Sequence, residues 1–154
     1  MLSLPPELAS SVEQLRAKLV EINGSEQACM TTAVASASQG NTIPVVQAVI
    51  ARCRQSSAAA AATAIDTFRN ECSALSTQAS SPAKAAVLAA TATGVSDFWA
   101  KSESLAAALA SEVASQLPAQ GADKSTEALD NIYSNRASSI NRYFEQLTTE
   151  QLTS

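Results

Sequence analysis

Five prolines constrain this chain more than any other feature. They fall at four places, Pro5 with Pro6, Pro44, Pro82 and Pro118, and cut positions 5–154 into stretches of 39, 38, 36 and 37 residues. Proline lacks the backbone N–H, so a helix accepts it in its first turn and is broken by it further in. Prolines held to such intervals therefore mark helix starts, provided the rest of the chain favours helix. It does: Ala and Ser supply 32 and 22 of the 154 residues, Ala being the best helix former, and only four glycines occur. The expectation is all-α: one domain over residues 1–154, an elongated antiparallel up-and-down four-helix bundle with rods of about 50 Å. Much of the apolar content is Ala, which buries little area per residue, so the core is expected to be thin.

The first rod carries Leu8, Val12, Leu15, Leu19 and Ile22 at alternating steps of four and three, the spacing of a coiled-coil seam. Asn23-Gly24-Ser25 offers a C-terminal Gly and then an N-capping Ser, which predicts a break near Gly24 and a shorter helix to about Ser38. Thr42 is the expected cap of the second rod, whose face reads Val46, Val49, Cys53, Ala60, Ala64, Phe68, Cys72 and Leu75. Within it Ser56–Thr63 is almost all small, suited to a close helix crossing. The third rod begins at Ser81-Pro82 and carries Val87, Leu88, Phe98, Trp99, Leu105, Leu109, Val113 and Leu117, with a second break expected near Gly94. The last rod follows Pro118 and Gly121, with Leu129, Ile132, Tyr133, Ile140, Tyr143, Phe144 and Leu147 as its apolar face. With both breaks the chain would hold five or six helices.

Cys29, Cys53 and Cys72 are sorted by geometry. Cys53 and Cys72 are 19 residues apart on one rod, a rise of about 28 Å, far beyond the Cα separation of ~7 Å that a disulfide tolerates. Cys29 and Cys53 are symmetric about residue 41, inside the Gly40-Asn41-Thr42 turn, so an antiparallel hairpin brings them to one height. The expected pairing is Cys29–Cys53 with Cys72 a free thiol; three reduced core cysteines are the alternative.

The chain has no histidine, which removes Ser-His and Cys-His nucleophile pairs, His-based metal and haem sites, and di-iron bundle motifs. The isolated glycines cannot build a phosphate loop, and the cysteine spacing matches no zinc framework. Glu7, Glu13 and Glu21 read as the solvated face of the first rod and Glu145 and Glu150 as exposed, leaving no candidate for a buried acid–base pair. Net charge is −4 and the ten Lys and Arg are scattered, so nucleic acid is an unsuitable partner. No stretch is long and apolar enough to span a membrane. Neither a metal nor a cofactor is expected, and the reading is non-enzymatic.

The expected function is carriage of a small apolar, lipid-like ligand between the helices, lined by Phe68, Phe98, Trp99, Tyr133, Tyr143 and Phe144. The same rings could instead plug an otherwise small-residue core. The alternative function is a structural or protein-interaction module acting through Ala-rich faces at Ala58–Ala62 and Ala106–Ala108, or through self-association into a homo-oligomer. Met1-Leu2-Ser3 is not a signal peptide, so the chain is either cytoplasmic or an exported protein without its leader. The sequon at Asn23 and the Ser/Thr/Gln-rich, Lys-poor surface favour an extracellular, secreted protein with Asn23 as a glycosylation site.

Overall fold

A computed structural model describes residues 5–153, with side chains for 5–147. It is all-α: α1 spans Pro6–Ser36, α2 Ile43–Thr77 and α3 Pro82–Thr153. Pro6 and Pro82 are the first residues of their helices and Pro44 the second of its own, as the missing N–H requires. The count is three helical elements, not four and not five or six, because the expected third and fourth rods belong to one element. Within α3 only Gly121 leaves helical geometry, at φ 84° and ψ 170°. A straight helix would separate Phe98 from Tyr143 by about 68 Å, yet their rings stack with centroids 4.2 Å apart. The element therefore doubles back at Gly121, giving two arms, 82–120 and 122–153.

Pro118 does not start a helix. It lies inside α3, in the turn before the bend. Having no N–H, it leaves the carbonyl of Ala114, four residues earlier, without its helical donor. Gln47 of α2 reaches across and donates its Nε2–H to that carbonyl at 3.0 Å. Nor do the breaks foreseen at Gly24 and Gly94 exist, since α1 and the first arm of α3 run through both positions. What Gly94 provides is space: a Cβ there would stand 3.1 Å from the Tyr143 hydroxyl.

The turn between α1 and α2 is a short 3₁₀ segment, Ala37–Gln39, closed by Gly40 at φ 99°. Thr42 offers α2 its carbonyl, which accepts from the Val46 N–H, but no side-chain cap. Ser81 does cap: the Lys84 N–H donates to its Oγ at 3.1 Å. The sulfurs of Cys29 and Cys53 sit at bonding distance with Cα atoms 5.8 Å apart, and Cys72 is buried and free.

Two apolar clusters fill the molecule. One joins Leu8, Leu15, Leu19, Phe68, Leu88, Trp99 and Phe144; the other joins Met30, Val34, Val46, Cys53, Leu117, Leu129 and Tyr133. Two faces differ from the sequence reading by one position. In α2 the buried residues are Ile50, Ala61 and Ile65, rather than Val49, Ala60 and Ala64. In the first arm of α3 the core takes Val95, Trp99, Ala106 and Ala110, which turns Leu105 and Leu109 outward at 62% and 36% exposure.

Candidate functional site

Between the two clusters lies a polar layer that the apolar periodicity conceals. In α1 the seam continues from Ile22 to Glu26 and Met30, and in the second arm of α3 from Tyr133 to Arg136 and Ile140. Both steps of three or four put a charged residue in the core register. Glu26 is 6% and Arg136 7% exposed. Arg136 donates from Nη1 to Glu26 Oε2 at 3.1 Å and from Nε to Ser102 Oγ at 3.0 Å. Its guanidinium lies 4.4 Å from the centre of the Trp99 ring, a cation–π contact sheltered from water. Glu26 is not among the carboxylates that the sequence pattern singles out, and among the described residues it is the buried one.

Asn23 completes the layer. It is 3% exposed, and its Nδ2–H donates to the Tyr133 carbonyl at 3.0 Å. A glycan on that nitrogen is incompatible with this packing, so the sequon does not mark a modified surface loop. The Tyr133 hydroxyl donates to Met30 Sδ at 3.0 Å. Burial first, and then the neighbouring Glu26 carboxylate, hold its ionisation far above the usual phenol range. Four buried polar atoms are without a hydrogen-bond partner among the described residues: Asn23 Oδ1, Ser96 Oγ, Trp99 Nε1 and Ser125 Oγ.

The six rings read as a ligand lining do not converge. Phe68, Trp99 and Phe144 are buried in the first cluster with Phe98 and Tyr143 packed against them, while Tyr133 belongs to the second. Phe98 stacks on Tyr143, and Tyr143 meets Phe144 edge to face. Of the six, only Phe68 borders any of the four main grooves, one of about 360 Å³ between α1 and α2.

Two grooves reach the polar layer, and Arg136 borders both. One, about 260 Å³, runs between α2 and the first arm of α3 past Glu26, Arg54 and Glu103; Ala51, Ala58 and Ala107 keep it open because their side chains stop at Cβ. The other, about 330 Å³, lies between the two arms of α3 and is lined by Leu105, Leu109, Ile132, Asn131, Asn135 and Arg136 with smaller residues. The largest of these four grooves, about 580 Å³, is bordered by small and polar residues of α2 and α3, with Cys72 among them.

The sequence pattern places Leu105 and Leu109 with the large residues of the third rod and passes over Arg136 and Glu26. For the leucines a signal exists in the chain: each stands one residue before an alanine, Ala106 or Ala110, that keeps the helical step from Trp99 to Val113 and Leu117. Choosing the larger neighbour at each step gives the wrong face.

Among the described residues no cluster of three or more His, Cys, Asp or Glu could hold a metal, and no helix is long and apolar enough to cross a membrane. No family model, curated protein or solved structure matches this chain.

Proposed function

We propose that this chain is a non-enzymatic binding protein for a small apolar ligand, and that the ligand is held in the groove between the two arms of α3 rather than among the buried aromatic rings. The observation that carries this reading is the outward placement of Leu105 and Leu109 beside Ile132. A soluble surface gains nothing from large apolar side chains gathered along one furrow unless something covers them. The groove volume, about 330 Å³, falls at the lower end of the ~300–1,000 Å³ range of small-molecule sites. The bundle itself would be four antiparallel rods, α1, α2 and the two arms of α3. The Cys29–Cys53 pair at disulfide distance favours an oxidising, extracellular location over the cytoplasm.

The interaction-module alternative draws on the Ala-rich faces. Ala59, Ala60 and Ala62 are exposed, but Ala61 and Ala106 are core residues, so neither run forms one continuous outer face. The binding reading is tested by native mass spectrometry of protein gently purified from its source. A few hundred daltons of added mass, removed by denaturation and absent from the L105N/L109N variant, is the expected result. A clean dimer without added mass would replace carriage by self-association.

A further inference from the structure

We infer that the groove between the arms of α3 takes an amphiphile with an anionic head, a carboxylate with an unbranched alkyl chain, and that Arg136 receives the head. The inference rests on the proposed binding function and names the ligand class. Of the side chains that line this groove, only Arg136 is ionisable; the remaining polar ones, among them Asn131 and Asn135, are neutral. The groove lining therefore carries one cation, whose acidic partner among the described residues, Glu26, lies outside this groove, beside the apolar Leu105, Leu109 and Ile132.

Arg136 is more than nine-tenths buried and only partly used. A guanidinium has five N–H donors. Arg136 spends one on Ser102 and one on Glu26, and Nη2 makes no hydrogen bond among the described residues. Nη2 is also not among the sealed, unpartnered atoms. Its remaining donors, one on Nη1 and two on Nη2, offer an edge that can meet the two oxygens of a carboxylate. The other attachments hold this edge in place: Ser102 grips Nε and Trp99 supports the flat face. Preorganisation of that kind lowers the ordering cost of binding. Glu26 is the internal competitor, since its carboxylate already offsets part of the Arg136 charge.

Trp99 is the only tryptophan and lies against the guanidinium, so its fluorescence reports directly on the site. Titration with dodecanoate and with dodecan-1-ol separates head from tail. The expected result is binding of dodecanoate at least tenfold tighter than the alcohol. E26Q, which removes the competing charge, is expected to tighten dodecanoate several-fold and leave the alcohol unchanged. E26Q/R136Q, which neutralises both partners so that no charge is left buried alone, is expected to bind the two probes equally. L105N/L109N should weaken both probes together. Equal affinities in the wild type, or selectivity for dodecanoate retained in E26Q/R136Q, would overturn the anionic head while the apolar groove stands. No binding of either probe, or binding indifferent to L105N/L109N, would overturn the groove itself. A dimer in sedimentation velocity that L105N/L109N abolishes would assign the furrow to a second copy of the chain.

Discussion

Arg136 shows how one residue can set the character of a site. Its charge is tolerable at 7% exposure because Glu26, Ser102 and Trp99 surround it. Removing one partner of a buried ion pair leaves the other charge without compensation, at a cost of about 3–5 kcal/mol. Glu26→Ala is expected to lose stability on that scale, whereas Glu26→Gln retains an acceptor for Nη1 and should lose clearly less. Urea unfolding with unchanged m-values measures both, and equal losses would mean that the missing charge alone, not the acceptor or the packing of the side chain, sets the cost. At Cys72, burial and the adjacent Glu71 push the thiol up to about 11 from an ordinary 9.0. The folded state binds this proton more tightly than the unfolded chain, so the contribution is complete below pH 9 and lost as pH rises from 9 to 11. Tyr133 shifts in the same direction. Stability measured by denaturant unfolding should therefore fall across that alkaline window. An alkylating reagent at pH 8 should label Cys72 only after unfolding. The sequence identified Cys72 as the leftover cysteine, but it could not say that the residue is buried in the first apolar cluster.

At the scale of elements, the glycines divide by what surrounds them. Gly24 is exposed inside a continuous α1 and a Cβ added there meets nothing within 4 Å. Gly24→Ala is expected to stabilise the protein by about 1 kcal/mol, the propensity difference in a helix interior. Gly121 has φ 84° and ψ 170°, a region that is essentially closed to residues with a Cβ. Gly121→Ala should cost about 1–3 kcal/mol by straining the bend that joins the two arms. Thermal unfolding of the two variants side by side tests the assignment: a stabilised G121A or a destabilised G24A would move the break from residue 121 to residue 24. From sequence the two glycines look alike, because each is an isolated Gly beside capping-type residues. What separates them is that α1 buries Ile22, Glu26 and Met30 on one unbroken stripe, so packing holds the helix through Gly24 despite its weak local preference. Pro118 makes the same point. Its position was legible, but its role at the end of an arm depends on Gln47, 67 positions from Ala114 in the chain, reaching the Ala114 carbonyl that the proline frees.

For the molecule as a whole, the cross-link between α1 and α2 is the main covalent constraint the fold permits. Cys29 and Cys53 are separated by 24 positions, and closing a loop of that size contributes about 3 kcal/mol in the chain-entropy model. Unfolding with and without a reductant should differ by roughly this amount, and a Cys53→Ser variant should behave like the reduced protein. Midpoints that do not respond to reductant would place the chain in the thiol state. The height match of the two cysteines followed from sequence arithmetic alone, because a regular helix fixes 1.5 Å per residue and a short turn fixes the antiparallel register. The same regularity made the all-α class, three of the four proline positions and the Leu8-to-Ile22 seam readable. These are local properties: backbone chemistry, propensity and period act within a few residues of one another. Which of two adjacent residues faced inward in an Ala-rich stretch was not local. Ala106 and Ala110 are buried in preference to Leu105 and Leu109 because Val95, Trp99, Val113 and Leu117 lock the register of the arm from both sides. Likewise Glu26 and Arg136 become a pair only when α1 and the second arm of α3 are brought together, 110 residues apart in the chain. The sequence by itself determined the all-α class, three of the helix starts and the pairing height of two cysteines, because these are local; the tertiary structure alone decided the helix count, the groove and its charge, since these arise where separate segments meet.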